Sequence, residues 1–232
     1  MEIIKGKKTA IYFGATGLVG KHCVRFLLQH QAYEQVVVFS RRALSFEHPQ
    51  LTTHLIDFDH LAEFADHIRG NDVYISLGTT RAKAGSKEGF YKVDFTYTFE
   101  AAKLACLNDV SQLMLVSSVG ADVDSIFYYS QVKGELEAAI KKLPFWAIHI
   151  FQPSVLLGER PENRWGERIA GVLGKGIDQL TGGLLTKYKP VEAEVVAKAM
   201  ISAAQRLEKG IHVYPSDYLQ RLADEIYGTE LI

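Results

Sequence analysis

No stretch of eighteen or more apolar residues occurs in this 232-residue sequence, which speaks against a membrane-spanning helix. The first residues, Met1-Glu2-Ile3-Ile4-Lys5-Gly6-Lys7-Lys8, lack the apolar run and small-residue cleavage site of a secretory signal, so a cytoplasmic protein is expected. Neither sign of charge is in excess: 26 Lys and Arg face 27 Asp and Glu, and a net charge of -1 gives no electrostatic reason to expect nucleic acid or an anionic membrane as partner. Cysteine is scarce as well. Cys23 and Cys106 both fall among apolar neighbours in helical patterns, which suits small buried thiols and not a disulfide framework or a metal centre. The eight histidines show no ligand spacing, and no internal repeat or low-complexity linker divides the chain.

What is present is a regular alternation. Thr9–Phe13, Gln35–Phe39, Leu51–Ile56, Asp72–Leu77, Gln112–Val116 and Phe145–Phe151 read as short apolar strands. Between them, Lys21–His30, Leu61–Arg69, Phe90–Cys106 and Tyr128–Lys142 read as helices, and Val191–Glu208 with Ile211–Tyr214 adds a last helix and strand. Continuous apolar strands alternating with amphipathic helices predict an α/β fold, a Rossmann-like doubly wound parallel sheet with helices on both faces. One domain over residues 1–232 is expected, with 158–190 forming a substrate-side segment beyond the carboxyl ends of the strands.

The first strand runs directly into Gly14-Ala15-Thr16-Gly17-Leu18-Val19-Gly20 and then a helix. Each glycine of such a loop has a physical purpose. Gly14 permits the tight turn, Gly17 lets backbone N–H groups approach a phosphate, and Gly20 lets the helix pack closely. The helix N-terminus then faces a pyrophosphate, which points to a dinucleotide. At the end of the second strand an acid would favour a free ribose 2′-OH, but Ser40-Arg41-Arg42 stands there, a hydroxyl and two guanidinium groups suited to a 2′-phosphate and hence to NADP(H). Solvated surface arginines are the plain alternative. Asp57-Phe58 after the third strand can line an adenine pocket, or Asp57 can cap the next helix. Leu77-Gly78-Thr79-Thr80 closes the fourth strand, where Gly78 lets backbone pass close to a ribose.

Tyr129-Ser-Gln-Val-Lys133 places a phenol and an ammonium on one helix face, at the start of the helix that follows the fifth strand. That strand ends in Ser117-Ser118, so tyrosine, lysine and one serine converge at the carboxyl edge of the sheet. The set suits carbonyl reduction: Tyr129 gives the proton, Ser118 or Ser117 polarises the substrate oxygen, and Lys133 tunes the phenol and binds the ribose. Arg81, Lys83, Arg160, Asn163, Arg164 and Arg168 can surround an anionic substrate group or form a solvated rim. His149, inside an apolar strand, reads as a satisfied core histidine.

At these motifs the sequence resembles the short-chain dehydrogenase/reductase superfamily, and within it the atypical group of the Tat-interacting protein of 30 kDa. The resemblance runs over nearly the whole chain. It is carried by the glycine loop, Arg41-Arg42, Leu77-Gly-Thr-Thr-Arg-Ala-Lys-Ala-Gly85, Ser117 to Asp122, Tyr129 to Glu135, and Pro153 to Arg160. It implies NADPH binding, with Pro153 and Arg160 near the cofactor, Tyr129 as proton donor and Lys133 on the ribose. Three positions depart from the superfamily or group pattern. Asp94 stands where many members have Asn, Ser118 lies only 11 residues before Tyr129, and Gln152 precedes Pro153 where the mammalian member has Arg.

The leading expectation is an NADPH-dependent oxidoreductase of a small carbonyl compound. A non-catalytic NADP(H)-sensing regulator, acting on a protein partner through the segment after Gly158, is the alternative. A nucleotide-sugar epimerase or dehydratase is the third reading, disfavoured by Arg41-Arg42 and the short tail.

Overall fold

The computed structural model describes residues 7–158 and 189–227. In chain order the first half holds β1 (Lys8–Phe13), α1 (Leu18–Gln29), β2 (Tyr33–Ser40), β3 (Leu51–Leu55), a 3₁₀ helix (Phe58–His67), β4 (Asp72–Ile75), the short α2 (Arg81–Ala84) and α3 (Lys87–Tyr91). A π-helical turn (Lys92–Tyr97) leads into α4 (Thr98–Leu107), then β5 (Gln112–Val116), α5 (Tyr128–Ile140), β6 (Ala147–Gln152) and β7 (Leu156–Leu157). Beyond the undescribed stretch come β8 (Val191–Glu192), α6 (Ala193–Arg206), β9 (Gly210–Pro215) and α7 (Leu219–Tyr227).

Seven strands form one parallel sheet in the order β3-β2-β1-β4-β5-β6-β9, and β7 pairs with β8 apart from it. Side-chain alternation explains why both faces need cover. Ala10 and Tyr12 of β1 join Val36 and Val38 of β2 in one core layer, while Ile11 and Phe13 join Val37 and Phe39 in the other. The first layer is closed by Cys23, Val24 and Leu27 of α1 with Val196 and Met200 of α6 and Leu222 of α7. The second is closed by Ala101, Ala102 and Ala105 of α4 with Leu136 and Ile140 of α5. The expected Rossmann-like doubly wound sheet is the observed one.

At the amino-terminal edge, Asp72 opens β4 with a buried carboxylate that Lys8 pairs at 3.1 Å. Tyr33 donates to the same carboxylate at 2.5 Å and Gln112 at 2.9 Å, so the charge is satisfied from three neighbouring strands. This network fixes one end of the central strands.

Three local expectations change. The Leu61–Arg69 helix is a 3₁₀ helix that begins at Phe58 and kinks at His60, and its buried residues Phe58 and Leu61 stand three apart, the spacing that a three-residue turn brings onto one face. The single helix expected over Phe90–Cys106 is divided by the π turn. A helix not expected from the sequence, α7, forms over Leu219–Tyr227, and its Leu219, Leu222 and Ala223 pack on the α1 and α6 layer. Cys23 is buried as expected, whereas Cys106 is only half-buried.

Candidate functional site

The strand order reverses between β1 and β4, and a crevice outside the carboxyl ends of the strands at such a point is where open α/β sheets take ligands. Two loops meet there. Gly14 leaves β1 at φ +94°, and a Cβ on it would stand 2.7 Å from the Ser76 carbonyl carbon and oxygen, so only glycine lets the β1 loop lie against the end of β4. Ser76 strengthens the junction by bonding Tyr12 Oη at 3.0 Å. Gly20 is equally constrained, since a Cβ there would come within 2.2 Å of the Gly14 carbonyl oxygen; α1 thereby sits tight against the turn.

The start of α1 is open for an anion. Its N-cap, Gly17, offers no side chain to the first N–H groups, and the first turn has no acidic residue. A three-turn helix left in this state directs free N–H donors and the positive end of its dipole at the crevice. Thr16, Gly17 and Leu18 are partly exposed around this end, and Ala15 and Val19 are buried beneath it. The residues present therefore fit a pyrophosphate.

Arg41 and Arg42 are both exposed at the end of β2, and the buried Ser40 hydroxyl accepts the Arg42 backbone N–H at 3.3 Å, which orders the turn that carries them. Asp57 takes the capping role, its carboxylate accepting from Asp59 N–H at 3.0 Å. Phe58 is 7% exposed, and its ring packs on Tyr97 at 5.3 Å.

On the other side of the switch point, the Leu77–Thr80 turn is tied to α5 through Asp94, which accepts from Thr79 N–H at 2.9 Å and pairs with Lys133. Gly134 lets α5 pack against the loop after β5, since a Cβ there would lie 2.3 Å from the Asp122 carbonyl carbon. Tyr129, Lys133 and Glu137 form a row at four-residue spacing along α5. Tyr129 is 46% exposed, with its ring against Phe90 at 5.6 Å. Lys133 is buried and pairs with Asp94 at 2.7 Å. Burial opposes the ammonium charge, but Asp94 outweighs it, helped by Tyr129 and Glu137, and the lysine stays charged beyond its ordinary range.

The two serines separate. Ser117 is buried and donates to Glu137 Oε1 at 2.6 Å, where Gln152 also donates at 2.9 Å and Lys141 reaches the second oxygen at 3.3 Å. Ser118 is partly exposed and has only a long 3.3 Å contact to the next carbonyl. Ser117 is thus committed to the interior, and Ser118 is the more accessible of the two. The sequence reading missed Glu137; its four-residue step from Lys133 was the signal. Pro153 is buried after β6, and its carbonyl accepts from Val119 N–H at 2.9 Å. Arg160, Asn163, Arg164 and Arg168, with most of 158–190, lie outside the described residues.

His149 is buried but only half satisfied. Nδ1 meets Tyr214 Oη at 3.0 Å, and Nε2 has no hydrogen-bond partner among the described residues. Burial, with His212 and Arg206 nearby, pushes its pKa down to about 3. Among the described residues no His/Cys/Asp/Glu group is placed to hold a metal ion, and no helix is long and apolar enough to cross a membrane.

Residues 14–143 match the pattern of a family described as NAD(P)H-binding. Protein HTATIP2 of Rattus norvegicus is 40% identical over 167 residues, 70% of this chain and 69% of that protein. Protein FMP52, mitochondrial, of Candida albicans is 36% identical over 225 residues, 92% of this chain and 97% of that protein. The Bordetella bronchiseptica enzyme WbmH in complex with NAD+ superposes with a TM-score of 0.66 at 15% identity, over 97% of this chain and 82% of that one, a likeness of fold. The resemblance to the Tat-interacting protein group holds. The expected cytoplasmic location does not: the Candida albicans relative and its counterparts in Emericella nidulans and Scheffersomyces stipitis are all named mitochondrial. The expectation rested on secretory-signal features alone, which carry no information about organelles.

Proposed function

This chain belongs to the NAD(P)H-binding family, and from that membership we propose that it is an NADPH-dependent reductase of small carbonyl compounds. The observation that carries the proposal is a buried, charged Lys133 on α5, the helix that opens with a half-exposed Tyr129 and follows Ser118 of the β5 end, together with an α1 that begins without a side-chain cap. NADPH, when bound, supplies the hydride. The α1 N-terminus and the Gly14 loop hold the pyrophosphate, Arg41 and Arg42 take the 2′-phosphate, and Lys133 holds the nicotinamide-side ribose. Tyr129 delivers a proton to the substrate oxygen as carbon is reduced, and the Ser118 hydroxyl donates a hydrogen bond to that oxygen.

Calorimetric titration with NADPH and NADH, on the natural protein and on Arg41→Ala/Arg42→Ala, tests the cofactor half. The expected result is tighter binding of NADPH, weakened by at least about tenfold in the double variant, since charge-assisted hydrogen bonds are being removed. Equal affinity for the two dinucleotides would overturn the NADPH assignment. A panel of aldehydes and ketones then tests the chemistry: turnover that survives Tyr129→Phe unchanged removes the proton-donor role. NADPH binding with no turnover across the panel moves the function to a cofactor-sensing protein.

A further inference from the structure

The two arginines at the end of β2 lie just before an exposed serine. Arg41 and Arg42 stand four and three residues ahead of Ser45, in the run Arg41-Arg42-Ala43-Leu44-Ser45-Phe46. Leu44 and Phe46 are partly buried and pack on the α1 and α6 layer, which leaves Ser45 exposed between them. Among the described residues, Ala43 to Glu47 make no hydrogen bond and belong to no helix or strand. Two apolar side chains anchor this stretch, and no backbone ladder has to be broken to lift it into the cleft of another protein.

The charges around Ser45 favour a phosphate. Arg41 and Arg42 are exposed, and among the described residues neither guanidinium pairs with a carboxylate. A third cation, Arg25 of α1, lies over the Phe46 ring at 5.8 Å from its centroid. Glu47, two residues beyond Ser45, is the acid of this stretch. Three residues of chain span at most about 10 Å, a gap that an arginine reaching from one side and a phosphate from the other can close. Paired arginines ahead of an accessible serine are also the charge pattern by which a protein kinase with an acidic cleft selects its substrate.

We infer that Ser45 is a phosphorylation site, read by a basophilic protein kinase through Arg41 and Arg42, and that its phosphate occupies the same guanidinium groups as the 2′-phosphate of NADPH. In the transfer, Ser45 Oγ attacks the γ-phosphorus of ATP, ADP leaves, and the hydroxyl proton passes to the base of the kinase. The product is a phosphate monoester, as the ribose 2′-phosphate is, and its tether to the chain gives it a high effective concentration at the arginines. NADH carries no 2′-phosphate and stands outside the competition. The inference rests on the proposed contact between the two arginines and NADPH. Its consequence is regulation in both directions: phosphorylation releases NADPH, and bound NADPH shields the arginines from the kinase.

The test compares natural protein with protein carrying phosphoserine at position 45, introduced during translation so that no kinase is needed. Each is titrated calorimetrically with NADPH and NADH, with its thermal unfolding recorded. Phosphoserine is expected to weaken NADPH binding by about tenfold or more and to change NADH binding by less than about twofold, since charge-assisted bonds to one group are at stake. Ser45→Asn, which cannot carry a phosphate, is expected to bind both as the natural protein does. In an Arg41→Ala/Arg42→Ala background the phosphate is expected to lower NADPH affinity no further, the mark of a shared contact. In a second arm, natural protein, Ser45→Asn and Arg41→Ala/Arg42→Ala are incubated with cyclic-AMP-dependent protein kinase, ATP and Mg²⁺ and mapped by mass spectrometry. Phosphate is expected on Ser45 of the natural protein alone, and more slowly with saturating NADPH than with NADH. A phosphate at position 45 that leaves the preference for NADPH intact, or natural protein that the kinase leaves unmodified there, overturns the inference and leaves the proposed function standing. Natural protein that binds the two dinucleotides equally removes the proposed NADPH contact, and this inference with it.

Discussion

Replacing His149 with Phe is expected to flatten the acid limb of the stability curve. The imidazole is fully buried between His212 and Tyr214, stacked at 5.0 and 5.9 Å, and its pKa falls from 6.5 to about 3. In the unfolded chain the same group takes up a proton near pH 6.5, so between pH 6.5 and about 3 the unfolded state binds a proton that the native state refuses. Stability is therefore lost as pH falls through that window, and levels off below it. At pH 5 the loss is about 1.5 units of proton affinity at 1.36 kcal/mol per unit, or about 2 kcal/mol. Phe keeps the stack and removes the titration; the lost bond to Tyr214 lowers stability at every pH and so cancels in a difference. Urea unfolding at pH 7, 6 and 5 reads the quantity directly. The fall in unfolding free energy from pH 7 to pH 5 is expected to be smaller in His149→Phe by about 2 kcal/mol. Parallel curves for the two proteins would show that His149 protonates without cost in the native state, and would refute the argument from burial.

Two further outcomes follow from the junctions around the crevice. Gly14→Ala places a Cβ against the Ser76 backbone at positive φ and is expected to cost at least about 2 kcal/mol in urea unfolding, whereas Gly78→Ala, which meets only an ordinary contact with Asp94, is expected to cost under about 1 kcal/mol. Ser117→Ala removes one donor from the buried Glu137 carboxylate and is expected to destabilise by about 1–3 kcal/mol, while Ser118→Ala leaves stability unchanged and lowers carbonyl turnover; the reverse pattern would exchange the two serines.

The sheet was legible because its strands are continuous apolar runs separated by helices of matching length, and periodicity of that kind leaves few arrangements open. The same property hid the orientation of the serines. In a strand buried on both faces, alternation separates two sets of side chains without showing which set meets the ligand, so Ser117 and Ser118 look equivalent until Glu137 claims one of them. The π turn was illegible for a different reason. Residues 90–106 carry no proline or other marked breaker, and the ion pair made from the turn joins one helix to another. Asp94 stood out in the sequence as an unusual residue, but its ion pair with Lys133 is a contact between residues far apart in the chain. Asp57 shows the limit of local reasoning: capping and adenine contact call for the same residue at the same place, and the sequence carries no mark of the bond to Asp59 N–H.

Four-residue β4 is held at both ends, by Asp72 where it begins and by the Asp94-bound turn where it finishes. For protein engineering this makes it a fixed datum. Loops on either side can be exchanged for others, and with them the molecules admitted to the crevice, while the support under the central strand keeps its alignment. New chemistry can then be grafted onto this scaffold piece by piece, without rebuilding the frame against which each piece is aligned.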